Sequence, residues 1–145
     1  MAIVPYRGKF HVEYFMSTTG LALAIGDMVT ILASAAGVGT LAKATSSSPV
    51  VIGTVLKAIT SASAEYTTSA KVPVLVANDG SLWKALTTTN GGQTEVGQFI
   101  DVSDEVTLDG AAAYTYGVAE VKEYVSTTSL IVRLVKKTGP SVTTA

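Results

Sequence analysis

The segment Lys71-Val72-Pro73-Val74-Leu75-Val76-Ala77-Asn78-Asp79-Gly80-Ser81-Leu82-Trp83-Lys84-Ala85-Leu86 holds two apolar runs around a break. Val72, Val74 and Val76 alternate with Pro73, Leu75 and Ala77, which is the period of a strand built from β-branched residues. Asn78-Asp79-Gly80-Ser81 tolerates positive φ, and Leu82–Leu86 resumes the apolar pattern around Trp83. The pattern predicts a β-hairpin whose two strands meet across that turn. Pro73 offers no ladder donor, so its strand is expected near an edge or at a strand start.

Working outward, the same grammar repeats. Asp27–Leu32 reads as a strand opened by the Gly26-Asp27 turn, and Val50–Leu56 as a β-branched strand after the Ser46–Pro49 break. Ala33–Lys43 is Ala-rich, but Gly37 and Gly39 oppose a helix and favour a loop entering a short strand. Ala58–Ser69 accommodates a loop or one helical turn. Asn90-Gly91-Gly92 is a turn, Val96–Val102 a strand with Phe99 inside, and Asp101–Gly110 an acidic segment with room for one helical turn. Tyr116–Val125 and Leu130–Lys136 form a closing hairpin. A three- or five-residue loop between them would set Glu123 opposite Arg133 and Glu120 opposite Lys136, avoiding Lys122 against Arg133. No long amphipathic helices alternate with the strands, so the expected fold is all-β: a compact β-barrel or β-tulip-like domain with an extended N-terminal arm and at most one short helix. The expected divisions are an arm over 1–16, a β domain over 17–137 and a loose tail over 138–145.

The chain has 145 residues, 48% of them apolar and only 14% charged, with a formal net charge of -1. That suits one domain with one core. So few charges leave a surface of Ser, Thr, Gly and Ala, which favours coverage by partner chains. Ten basic and eleven acidic residues give no broad basic field, which argues against nucleic-acid binding. The absence of cysteine removes disulfides, thiolate zinc sites and cysteine nucleophiles. Met1–Phe15 lacks the apolar core of a signal peptide, and Met28–Ala42 is too short for a membrane span.

Candidate chemistry is thin. His11 is the single histidine and has no nucleophile elbow to serve. Asp101, Asp104, Glu105 and Asp109 lack EF-hand spacing and are expected to be a solvated acidic loop, so neither metal nor cofactor is expected. Gly37-x-Gly39 and Gly91-Gly92 lack the residues that complete a phosphate loop. Trp83 is expected in the core. No acid–base set assembles, and the chain is not expected to be an enzyme.

The leading segment differs from the body. Tyr6, Phe10, Tyr14 and Phe15 lie within its first sixteen residues together with Arg7, Lys9, His11 and Glu13. Residues 9–16 alternate well enough to be a first strand. Pro5 and Gly8 disfavour a central strand in the residues before them, while Ile3, Val4 and Tyr6 need a surface to cover. An arm that orders on a partner's sheet edge satisfies both demands.

The order of Gly26-Asp27-Met28-Val29, Val51-Ile52-Gly53-Thr54-Val55, the Val72–Trp83 unit, Val96-Gly97, Tyr116-Gly117-Val118 and a basic-ended terminal strand resembles the capsid decoration (cement) proteins of tailed bacteriophages. The resemblance spans about residues 24–137 and implies a virion protein on the outer capsid surface, made in the host cytoplasm. Its implied partners are the major capsid protein and other copies of itself, as a homotrimer seated where capsid subunits meet. It also implies that the N-terminal arm, here Met1 to about Gly8, grips the capsid; the contact residues expected from the composition of the leading segment itself are Ile3, Val4, Tyr6, Arg7, Lys9 and Phe10. The rivals are another virion surface or tail subunit, and a carbohydrate-binding β-sandwich using Trp83.

Overall fold

The computed structural model describes residues 3–32, 39–78, 80–88, 96–110 and 115–135. Its elements are β1 (Ile3–Arg7), β2 (Phe10–Met16), β3 (Met28–Leu32), β4 (Thr40–Lys43), β5 (Gly53–Val55), α1 (Ala64–Thr67), β6 (Lys71–Ala77), β7 (Leu82–Leu86), β8 (Phe99–Ile100), β9 (Ala119–Ser126) and β10 (Ser129–Leu134). The protein is all-β, with one short helix among the described residues. A five-stranded sheet runs β1-β7-β10-β9-β8, and the remaining strands close a barrel in the order β2-β4-β3-β5-β6.

Residues 71–86 are not a hairpin. β6 pairs with β2 and β5 in the barrel, whereas β7 pairs with β1 and β10 in the sheet. Between the end of β6 at Ala77 and the start of β7 at Leu82 the chain passes from one layer to the other. β1 and β2 make the same passage at Gly8, so β1·β7 and β2·β6 form one long antiparallel ribbon bent across both layers. Such sheet-switching strands are a known way to turn a corner between packed sheets. Ser81 fastens the bend: its hydroxyl accepts from the Lys9 amide (2.9 Å) and donates to the Lys9 carbonyl (2.7 Å). The sequence signal was correct for a break and silent on its partners, because a corner and a hairpin turn both use Gly at positive φ (Gly80, 79°).

The apolar run of β6 is explained by burial on both faces. Val72, Val74 and Val76 point into the barrel with Val29, Leu41, Val55, Ile59 and Leu23, while Leu75 and Ala77 pack towards the second core. That core lies between barrel and sheet and holds Ile3, Met28, Trp83, Ala85, Ile100, Leu108, Val121, Leu130 and Val132. Phe10 meets Trp83 edge-on at 4.9 Å between ring centroids. β6 is therefore an interior strand, not an edge. Pro73 is tolerated because β5 ends beside it, and its carbonyl still accepts the Leu56 amide at 3.0 Å. Gly53 is required where β5 crosses β6: a Cβ there would fall 2.0 Å from the Leu75 carbonyl oxygen.

The closing hairpin differs in register from the expectation. It turns through two residues, pairing Ser126 with Ser129, and then two register shifts on β9 bring Glu120, not Glu123, opposite Arg133. Opposite charges still meet, but through bulges that simple loop counting does not reveal. The predicted Val50–Leu56 and Val96–Val102 strands shorten to β5 and β8; the helical turn falls at Ala64–Thr67, inside the 58–69 segment read as able to hold one, and not in Asp101–Gly110. The turn at 90–92, most of the 33–43 loop, Lys136 and the 138–145 tail lie outside the described residues.

Candidate interaction surface

The arm expected over Met1–Gly8 is instead, from Ile3 onward, an edge strand of the chain's own sheet. Ile3 lies opposite Ala85 and is 1% exposed, so it belongs to the core rather than to a contact surface. Phe10 packs against Trp83 and is likewise withdrawn from the predicted grip. The physical reason is supply: β7 offers an unpaired edge within the same molecule, and pairing there avoids the entropy of closing onto a second chain.

The other predicted contacts remain outside. Val4 is half-buried, while Tyr6, Arg7 and Lys9 are exposed. Arg7 stacks over the Tyr6 ring, 5.2 Å from its centroid, and its Nη1 lies 3.8 Å from Glu123 Oε2. The β1·β7 register shifts between Pro5 and Arg7, leaving Tyr6 as the extra residue of a bulge. Pro5 and this bulge blunt the edge against strand addition. What β1 offers a partner is therefore its side chains, an aromatic–basic ridge already folded into place.

Val12 and Tyr14 of β2, 47% and 63% exposed, were not among the contact residues expected from the sequence. The signal was present: on an alternating strand, Val12 and Tyr14 share a face that a core strand would have hidden. His11 on the opposite face is held between Asn78 Oδ1 (2.5 Å) and Glu13 Oε2 (2.8 Å), a structural use of the single histidine.

The acidic loop is structural. The Asp101 carboxylate accepts the amides of Thr115 (2.6 Å), Tyr116 (2.9 Å) and Gly117 (2.7 Å). Asp104 accepts the Val106 and Thr107 amides and the Thr107 hydroxyl. Burial pushes the Asp104 carboxyl upward, and these hydrogen bonds together outweigh it and hold the group below its usual range. Glu65 is lowered chiefly by its hydrogen bond from Lys57. Among the described residues, no group of three His, Asp or Glu side chains is placed to hold a metal ion, and no helix is long and apolar enough to cross a membrane.

A cleft of about 210 Å³ opens between barrel and sheet, lined in part by Glu13, Phe15, Val76, Ser81 and Arg133. Its polar side chains are already engaged: Glu13 by His11, Ser81 by Lys9 and Arg133 by Glu120. It is smaller than the roughly 300–1,000 Å³ of usual small-molecule sites. Trp83 is 0% exposed and has no face to offer a sugar.

Compared with protein-family models and with curated proteins, the chain matches none.

Proposed function

We propose that this chain is a structural virion protein that binds the outer surface of a phage capsid at subunit junctions and stabilises the head lattice. The observation that carries this reading is the ridge of Tyr6 and Arg7 on the folded edge strand β1, followed by exposed Lys9 at the corner between two layers. Tyr and Arg are the residue types that dominate binding energy at protein interfaces. The low charge of the remaining surface supports the same reading, since it suits a molecule largely covered by neighbours.

The structure changes how such a grip would work. An unfolded arm would lose about 1–2 kcal/mol of backbone entropy per residue on docking. β1 has already met that cost in folding, so each ridge binds as a preformed patch. One small patch is weak, and a homotrimer presenting several at once would gain by effective concentration. Bound copies would then stabilise the lattice because they favour assembled over released subunits. The major capsid protein is the partner this reading requires.

Electron cryo-microscopy of the native particle tests it. The expected map shows this fold on the outer head surface with β1 facing capsid. Density for it on the tail, or none on the particle, would overturn the reading.

A further inference from the structure

β2 has an open edge, and we propose that it is filled by β2 of a second copy in an antiparallel, two-fold pairing centred on Val12. In the β2·β6 ladder the Lys9 carbonyl accepts the Asn78 amide (2.9 Å), and the Ser17 amide donates to the Ala70 carbonyl (2.8 Å). The register between these ends is unbroken, Phe10 opposite Ala77 through to Met16 opposite Lys71. Antiparallel ladders alternate, so the odd-numbered residues of β2 bond to β6, and the amides and carbonyls of Phe10, Val12 and Tyr14 point away from it. Only Met16 meets a strand on that side, pairing with Thr40 of β4. Among the described residues nothing else pairs with this edge.

Edges left open are usually protected by proline, lysine or a bulge. β1 has the first and third; the interior of β2 has none of them. The occupant follows from charge and parity. A second β2 can bond only through its own outward residues, which restricts the registers. Centring on Val12 pairs Phe10 with the partner's Tyr14 and Val12 with the partner's Val12, so every outward amide on both strands is used. It also sets His11 against the partner's Glu13, twice, at the non-bonded positions where side chains approach most closely. Shifting the centre to Glu13 opposes two carboxylates, and shifting it to His11 opposes two imidazoles and leaves Tyr14 outside the ladder. The contact is separate from the β1 ridge and holds whether or not the larger partner is a capsid.

The test uses purified full-length protein in sedimentation velocity over a wide concentration range. Wild type should show a reversible doubling of mass. Val12→Pro removes a donor that faces away from β6, so the variant should keep the wild-type melting curve and weaken association by at least about tenfold. Glu13→Lys should also weaken it, and His11→Glu combined with Glu13→Lys should restore it. Because the chain has no cysteine, Val12→Cys should form a cross-linked dimer on mild oxidation, and exposed Thr67→Cys should not. A wild-type protein that never doubles, an association indifferent to Val12→Pro, or a charge swap that fails to rescue would each overturn the proposal. So would an edge that closes only when a different protein is added.

Discussion

Gly8 lies directly against Ser81: a Cβ at Gly8 would sit 2.5 Å from Ser81 Oγ and 2.8 Å from its Cα, on a backbone with φ of 108°. The contact joins the two bends of the long ribbon, and the Lys9 amide and carbonyl both bond to the same Ser81 hydroxyl. Gly8→Ala therefore meets both steric overlap and backbone strain, and is expected to cost about 2–4 kcal/mol. Gly20 has φ of 82° but open space around it. Gly20→Ala should lose only the left-handed penalty, about 1–2 kcal/mol. Urea denaturation of both variants beside wild type checks the difference.

Removing the first eight residues should not yield a folded protein that merely fails to bind. It takes away β1 and the fully buried Ile3, and it exposes the edge of β7. Ile3→Ala alone should cost about 2–5 kcal/mol, and Phe10→Ala, which empties the space beside Trp83, about 2–4 kcal/mol. Tyr6→Ala and Arg7→Glu, on the exposed ridge, should stay within about 1 kcal/mol of wild type. Thermal melting separates the two groups.

Glu120 and Arg133 give the stability a pH dependence. Arg133 Nε and Nη2 donate to Glu120 Oε1 at 3.1 and 2.9 Å, and Lys122 Nζ lies 3.1 Å from the same oxygen. The hydrogen bond from Arg133 chiefly holds the Glu120 carboxyl below its ordinary value, against burial, which acts the other way. A carboxyl lowered by folding contributes fully above its unfolded value, about 4.3. The contribution is lost as pH falls through the lower folded value. Glu120→Gln should thus cost about 1 kcal/mol at neutral pH, and the gap to wild type should close as the solution is taken to about pH 2.

Asp101 fastens the start of the segment leading into β9. Asp101→Ala would leave the amides of Thr115, Tyr116 and Gly117 without their carboxylate, at an expected cost of about 2 kcal/mol. Added calcium should not raise the melting temperature of wild type, because the carboxylate is already committed to these amides. A calcium-dependent rise of several degrees would contradict that use of the loop.

What was legible in the sequence was local. β-branched runs marked β3 and β6, the resumed apolar run around Trp83 marked β7, and the core place expected of Trp83 as a large aromatic is where it lies. What was not legible was which strands meet. Residues 71–86 carry the signature of a hairpin because turn chemistry records only that the backbone bends at Gly80, not whether the strands then pair with each other. The Glu120–Arg133 pairing was hidden for a related reason: Val125 and Lys122 are passed over in the ladder, and bulges have no reliable single-sequence mark. At the candidate surface, Tyr6, Arg7 and Lys9 are exposed, whereas Ile3 and Phe10 are drawn into the core, because stickiness alone does not distinguish an interface from a core.

Co-sedimentation with capsids lacking this protein tests the central claim most directly. Wild-type chain should saturate them. The doubly substituted Tyr6→Ala, Arg7→Glu protein, melting like wild type, should bind at least about tenfold more weakly. Equal occupancy by the two proteins, or no binding of wild type to intact capsids, would contradict the account.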